Sequence, residues 1–116
     1  MSENEKVNNF DFEFQNKLGD IGDLEDKLRS EAETRLRKLA RGHTDLTGAS
    51  IIIEHVDKGA QTPYIYHARV VVYTRPNYLN GSEEADTAQS ALKGALEAVE
   101  RQVREQREKL RETWKR

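Results

Sequence analysis

Between Asp86 and Arg116, apolar residues recur at intervals of three, four or seven positions. They are Ala88, Ala91, Leu92, Ala95, Val99, Val103 and Leu110. This spacing is typical of an amphipathic helix. Asp86 and Gln89, three positions later, match a capping box at its start. A helix of this length extends roughly 40 Å at about 1.5 Å per residue, so we predict that its C-terminal end projects from the domain.

A second amphipathic pattern precedes this one in the chain. Asp20, Gly22 and Asp23 mark a turn and a helix start, and the pattern ends near Arg41, where Gly42 is the expected C-cap. The apolar stripe of this helix consists of Leu24, Leu28, Ala32, Leu36 and Leu39. The basic residues near its end complement the helix dipole, which is a structural role independent of any ligand.

Alternation with a period of two predicts the strands. Phe10, Phe12 and Phe14 alternate with polar residues, so the three rings should share one face of a first strand. β-branched and aromatic residues predict strands near 49–57 and 64–75, joined by a turn over 58–63. Pro76 ends the third strand, and a short fourth strand is expected around 78–80.

The resulting element order is β-α-β-β-β-α, which predicts an α+β two-layer sandwich: a four-stranded, antiparallel-rich sheet with two helices on one face. Strand alternation divides the sheet residues between two faces. The helix-covered face is predicted to carry Ile51, Ile53, Ala68, Val70 and Val72. The open face is predicted to carry Glu54, His67, Arg69, Tyr73 and Arg75.

Composition narrows the class of protein. A chain of 116 residues is large enough for one domain with its own core. The absence of cysteine excludes a disulfide scaffold and thiolate chemistry. The polar start of the chain does not resemble a signal peptide, and no apolar run is long enough for a membrane span, so a cytoplasmic protein is expected.

The net charge is only −2, but the charge is distributed unevenly. Residues 1–34 hold ten acidic residues against four basic ones, whereas residues 101–116 hold seven basic residues against three acidic ones. Such asymmetry indicates a molecule with one basic side, although mixed charge can also simply solubilise two helices.

Candidate catalytic chemistry is sparse. The chain has no phosphate-binding glycine loop and no serine in the context of a nucleophilic turn. Glu83, Glu84 and Asp86 are expected at a helix start, where the helix dipole stabilises acidic side chains. His55 and His67 fall on neighbouring strands but on opposite predicted faces, and no third metal ligand is evident. We therefore expect no enzyme activity, no cofactor, no metal and no small-molecule substrate.

Arginine and lysine on the last helix are the stronger indication of function. At about 100° per residue, they fall within one sector of that helix, and arginine suits phosphate because its planar fork donates two parallel hydrogen bonds. These residues are Lys93, Arg101, Arg104, Arg107, Arg111 and Lys115. Glu97, Glu100 and Glu108 interrupt the sector, so ion pairs along the helix are an alternative to RNA, as is an acidic protein partner.

Two parts of the chain resemble the ribosome-associated inhibitor A / hibernation-promoting factor family, also known as sigma-54 modulation proteins. The first is Val70-Val71-Val72-Tyr73-Thr74-Arg75-Pro76-Asn77. The second is Asp86, Ala91-Leu92, Ala95-Leu96 and Val99-Glu100-Arg101-Gln102-Val103. Leu28 to Leu39, with Arg37-Lys38-Leu39, is similar to the first helix of that family. The resemblance covers roughly residues 8–112 in the element order predicted above.

The resemblance implies a fold similar to double-stranded-RNA-binding domains and a ribosome hibernation factor that binds the 30S subunit. Members of this family occupy the decoding region, and their basic helix surfaces face 16S rRNA. Recognition of that kind uses phosphate contacts and RNA shape rather than base sequence. Carried over by position, the implied RNA-binding residues are Arg35, Arg37, Lys38, Arg41, Lys93, Arg101, Arg104, Arg107 and Arg111.

This chain departs from the family in its slightly acidic charge and in ending at Arg116, without the C-terminal dimerisation domain of long-form members. We therefore expect a short form and favour a monomer. The predicted organisation is a tail over 1–7, one domain over 8–112 and a helix end over 113–116. The alternative function is a protein-interaction module of the same fold that does not bind RNA.

Overall fold

A computed structural model describes residues 10–43, 45–56, 65–74 and 78–114, with the side chains of the last helix described to 106 and at 108. The elements are β1 (Asp11–Asn16), α1 (Asp23–Gly42), β2 (Gly48–Val56), β3 (Ile65–Tyr73), β4 (Tyr78–Ala85) and α2 (Ala88–Trp114). The predicted β-α-β-β-β-α order is confirmed. The predicted tail over 1–7, the turn over 58–63 and Arg75 lie outside the described residues.

The strands in the described ranges form one sheet in the order β1-β2-β3-β4. β1 pairs with β2 in parallel, which requires the crossover that α1 provides. The other two pairings are antiparallel, and they place Ile51 opposite Val70 and Val70 opposite Gly81. This register fixes which side chains share a face of the sheet.

Both helices cover the same face of the sheet and enclose the core. All five residues predicted for that face are fully buried: Ile51, Ile53, Ala68, Val70 and Val72. Leu28, Ala32 and Leu36 of α1 and Leu92, Leu96 and Val99 of α2 are equally buried against them. The three phenylalanines of the β1 segment join this core, as predicted. The opposite face of the sheet has no helix on it in the described ranges, and we call it the open face.

Asn16 and two glycines hold the turn between β1 and α1. The Asn16 side-chain amide donates to the Gly19 carbonyl at 2.8 Å and to Glu25 Oε1 at 3.0 Å. Gly19 and Gly22 have φ values of 94° and 64°, which non-glycine residues rarely adopt. The turn therefore enters α1 through the Asp20–Asp23 segment predicted from sequence.

The fourth strand is longer than predicted, since β4 runs to Ala85 rather than ending near residue 80. The placement of Glu83 and Glu84 at a helix start was wrong, because both lie in β4. Hydropathy missed this part of β4 because its inward-facing residues include Gly81. A Cβ at Gly81 would lie 2.8 Å from the Ala95 carbonyl oxygen, so α2 packs directly on the backbone of β4.

Both predicted helix caps were wrong by one residue. At the start of α2 the cap is Thr87, whose hydroxyl accepts a hydrogen bond from the Ser90 N–H at 3.1 Å. At the end of α1, Gly42 is the last helical residue and His43 is the C-cap, with extended backbone. His43 N–H donates to the Ala40 carbonyl at 3.2 Å, so the helix closes without a left-handed glycine.

Candidate nucleic-acid interface on the helix layer

The two helices run side by side in the same direction. Arg35 of α1 contacts Glu100 of α2, and Lys38 and Gly42, further along α1, share a groove with Arg104, further along α2. Because successive positions on the two helices stay adjacent, the basic C-terminal half of α1 lies beside the basic part of α2. From the sequence alone, the basic residues of α1 and those of α2 could be assigned only to two separate helices.

A bidentate ion pair ties the helices together. Arg35 Nη2 lies 2.7 Å from Glu100 Oε1, and Arg35 Nε lies 3.1 Å from Glu100 Oε2. Hydrogen bonding to this carboxylate raises the pKa of the Arg35 guanidinium above its ordinary value, against the smaller effect of burial. Arg35 therefore stays charged, but its planar fork is directed at Glu100, which gives this residue an intramolecular role.

A groove of about 460 Å³ lies beside this ion pair, between the two helices. Its lining residues are Arg35, Lys38, Leu39, Gly42, His43, Glu100 and Arg104. Within the described part of the chain, Lys38 and Arg104 make no ion pair, whereas the charge of Glu100 is already compensated by Arg35. The groove therefore presents two cations without an ion-pair partner, one from each helix, an arrangement suited to a phosphate group.

The other basic residues predicted on α1 are placed differently. Arg37 Nε contacts Glu33 at 2.9 Å, and the Arg37 guanidinium lies 5.7 Å from the centre of the Phe10 ring. These contacts direct Arg37 toward the β1 side of α1, away from the groove. Arg41 is exposed near the end of α1.

On α2, Lys93 and Arg101 are exposed together with Arg104. Arg107 and Arg111 lie within the helix, but their side chains are outside the described residues, as is that of Leu110. We call Lys38, Arg41, Arg101 and Arg104 the basic patch. Val103 is the last buried residue among the described side chains of α2, so the patch lies where the helix leaves the core.

Among the described residues, the ion pairs Glu97–Arg101 and Glu100–Arg104, which spacing along the helix allows, are not formed. Glu100 is paired with Arg35 rather than with Arg104, and no contact joins Glu97 to Arg101 among the described residues. Glu100 therefore reinforces the contact between the helices more than it reduces the charge of the basic patch. Nothing in the sequence of α2 indicates that Glu100 pairs with Arg35, which lies 65 positions earlier in the chain.

The helix layer becomes acidic toward the start of α1. Asp23, Glu25 and Asp26 occupy its first turn, and a shallow depression of about 490 Å³ is bordered by Asp26, Lys27 and Glu31. The outer surface of this layer therefore has a charge gradient, from acidic near Asp23 to basic near Arg41.

The sheet separates His55 from His67. The register pairs His67 with Glu54 and His55 with Tyr66, which places the two imidazoles on opposite faces, as predicted. His67 Nδ1 lies 3.4 Å from Glu54 Oε2 on the open face. No group of three metal-ligating side chains occurs in the described ranges, and no helix there is long and apolar enough to cross a membrane.

Gln102 has a role that sequence reasoning did not identify. Its side-chain amide donates a hydrogen bond of 2.7 Å to the Asn80 carbonyl of β4. This contact supplies a partner to a backbone acceptor on an edge strand and fixes α2 against that edge. The Arg-Gln pair at 101–102 thus combines an exposed cation with a structural amide.

Comparison with known proteins gives one family and one fold. Residues 19–111 match the sequence profile of the family described as Sigma 54 modulation protein / S30EA ribosomal protein. A ribosomal subunit interface protein from Coxiella burnetii is similar in structure, with a TM-score of 0.59 and 17% identity over 84% of this chain and 96% of that one. The N-terminal domain of Thermus thermophilus Protein Y also has a TM-score of 0.59, with 20% identity over 78% and 91% of the two chains. A search of curated protein sequences gave no match.

Proposed function

This chain belongs to the family of sigma 54 modulation proteins and S30EA ribosomal proteins, and we propose that it binds the 30S ribosomal subunit through contacts between its helix layer and 16S rRNA. Family membership confirms the resemblance drawn from the sequence. The proposed consequence is that the protein occupies the decoding region of idle ribosomes and silences them. On this proposal it acts in the cytoplasm as a monomer, without catalysis, cofactor or metal.

The observation that carries this proposal is the parallel arrangement of the two helices. It brings Lys38 and Arg104 to opposite sides of one groove and continues the positive charge through Arg41 and Arg101. Phosphate contacts of this kind supply affinity without reading base sequence. One of the two fold neighbours is named as a ribosomal subunit interface protein, which supports a ribosomal partner for this chain as well.

The net charge of −2 does not oppose this proposal, because many of the acidic residues lie in β1 and the first half of α1, although Glu97 and Glu105 stand beside the basic patch. The acidic first turn of α1 lies at the opposite end of that helix from the basic patch. At physiological ionic strength, charges separated by more than about 8 Å are largely screened from each other in solvent. RNA at the basic patch therefore experiences mainly the local positive charge.

Co-sedimentation with purified 30S subunits at about 50 mM and about 200 mM salt tests the proposal. The variant Lys38→Glu/Arg104→Glu should bind at least about 10-fold more weakly, and its plot of log affinity against log salt should be shallower by roughly two. Lys17→Glu/Lys27→Glu is the matched control, because it reverses the same number of exposed charges outside the basic patch. It should bind nearly as the unmodified protein does.

Three outcomes would contradict the proposal: no association at either salt, equal losses for the control and the Lys38→Glu/Arg104→Glu variant, or binding insensitive to salt. Association that withstands both ribonuclease and high salt would instead support the protein-interaction module. Circular dichroism of each variant checks that the fold is intact.

A further inference from the structure

His43 borders the groove between the two helices, whereas His55 and His67 lie in the sheet. On the α1 side, the lining positions are 35, 38, 39, 42 and 43, a spacing of three and four that defines one face of a helix. His43 therefore continues the face that carries Lys38 just past the end of α1. Its side chain is half-buried, so the imidazole is part of the groove wall.

The backbone of His43 is held on both sides. Its N–H donates to the Ala40 carbonyl at 3.2 Å, and its carbonyl accepts a hydrogen bond from the Leu46 N–H at 3.1 Å. Both bonds use main-chain atoms, so they do not depend on the side chain at this position. The imidazole is therefore positioned beside the groove before a ligand binds, and replacing the ring should leave the turn intact.

The charged groups near His43 come from both helices and from the connection to β2. They are the lining residues Arg35, Lys38, Glu100 and Arg104, with Arg41 and Asp45 two positions to either side of His43. Because Arg35 binds Glu100, the groove retains an excess of positive charge. A phosphate group bound there would favour the protonated ring, since an adjacent opposite charge stabilises the charged form. The fixed neighbours, Asp45 included, act on the ring with or without phosphate, so the change on binding is set by the phosphate.

We propose that His43 is a further phosphate-binding residue of the groove and binds as the imidazolium, so that the protein takes up a proton when RNA occupies the groove. This inference rests on the proposed function and adds a dependence on pH to it. The protonated ring donates a charge-assisted hydrogen bond, which supplements the cations of Lys38 and Arg104. Histidine ordinarily changes its charge near pH 6.5. The affinity for RNA is therefore highest below that pH and falls as the pH rises through it.

Association with 30S subunits at about pH 6 and about pH 8, at constant ionic strength, tests this inference. The unmodified protein should bind about 3- to 10-fold more tightly at the lower pH, because a ligand that raises a pKa by about one unit binds up to about tenfold more tightly to the protonated form. In His43→Gln the ratio between the two pH values should fall to within about 2-fold. His43→Lys keeps a permanent cation and should bind at about pH 8 nearly as tightly as the unmodified protein does at about pH 6.

His67→Gln is the matched control, because His67 lies on the open face, opposite Glu54 and Glu84 in the register. The charge of that face is opposite to that of the basic patch. In the described strands, its acidic residues are Asp11, Glu13, Glu54 and Glu84, against the single arginine Arg69. Its exposed tyrosines, Tyr73 and Tyr78, are uncharged. A surface of this kind repels phosphate, so the control should keep the full ratio between the two pH values.

Nuclear magnetic resonance of the histidine rings provides a second measurement that does not require the ribosome. A saturating ten-nucleotide uridine RNA should move the midpoint of the His43 titration up by about 0.5–1 pH unit and leave that of His67 in place. An unmoved His43 midpoint, equal movement of both midpoints, or the same pH ratio in His43→Gln as in the unmodified protein would overturn the inference. Absence of 30S association at both pH values would contradict the proposed function, and the oligonucleotide titration would still decide the role of His43.

Discussion

The basic patch on the helices and the open face of the sheet differ in charge, and they also differ in how their side chains are positioned. Lys38 and Arg104 stand on separate helices, so their spacing depends on packing and on the Arg35–Glu100 ion pair. Tyr73 and Tyr78 stand on hydrogen-bonded neighbouring strands, so the sheet register alone sets their spacing. Changes in the packing of α2 should therefore disturb the patch more than the open face.

A substitution at the contact between α2 and β4 should have the largest effect, and it should affect the basic patch more than the open face. Gly81→Ala places a methyl group 2.8 Å from both the Ala95 carbonyl oxygen and Ala98 Cβ, so α2 must shift. We expect a loss of about 1–3 kcal/mol in the free energy of unfolding. Urea denaturation gives this value, and 30S association should fall in the variant while the amide chemical shifts of Tyr73 and Tyr78 on the open face change less.

Gly42→Ala is the matched control for this change. A Cβ there meets nothing within 4 Å, and Gly42 is the last residue of α1. Its stability should change by less than about 1 kcal/mol. If both glycine variants lose the same stability, close packing of α2 on β4 is not the cause.

Breaking the ion pair between the helices should have the next largest effect. A double-mutant cycle with Arg35→Ala and Glu100→Ala should give a coupling free energy of about 1–2 kcal/mol, because the pair is bidentate and only partly exposed. Glu100→Gln should lower stability and yet strengthen 30S association, since it releases the Arg35 charge toward the groove. Lower stability together with stronger 30S association would show that Glu100 positions Arg35 and does not itself oppose phosphate binding through lost packing. A coupling free energy near zero would contradict the expected contribution of the ion pair to stability.

The smallest effect is expected at the edge of the sheet. Gln102→Ala removes the hydrogen bond to the Asn80 carbonyl and should cost about 0.5–1.5 kcal/mol in thermal or chemical unfolding. Gln89→Ala, at an exposed position of the same helix, should change stability by less than about 0.5 kcal/mol. Faster hydrogen exchange in β4 of the Gln102 variant would show that this amide holds the edge, and unchanged exchange would count against it.

Much of the fold was predictable because most elements carry a complete periodic pattern. The alternating phenylalanines of β1 and the leucine stripe of α1 identify those elements and the faces they bury. β4 was predicted too short, because its inward positions include a glycine rather than large apolar residues. Because the backbone of α2 packs directly on Gly81, this part of β4 lacks the alternating large apolar residues that predict a strand.

The candidate site was predictable in its residue types but not in its arrangement. The sequence indicated basic residues on both helices, and the structure brings Lys38 and Arg104 to one groove while directing Arg37 toward Phe10. Periodicity gives the angle of a side chain about its own helix, but it does not give the direction or offset of the neighbouring helix. For the same reason, the pairing of Glu100 with Arg35 rather than Arg104 could not be derived from spacing along α2.

The sequence by itself determined the order of elements, the buried face of each one and the separation of acidic and basic charge along the chain. These properties depend on periods of 2.0 and 3.6 residues and on composition, which are local. The tertiary structure alone decided that the basic ends of the two helices lie together, that Glu100 is compensated and that Tyr73 and Tyr78 are neighbours on the open face. Each of these depends on contacts between residues far apart in the chain, and such contacts are set by packing of the whole core.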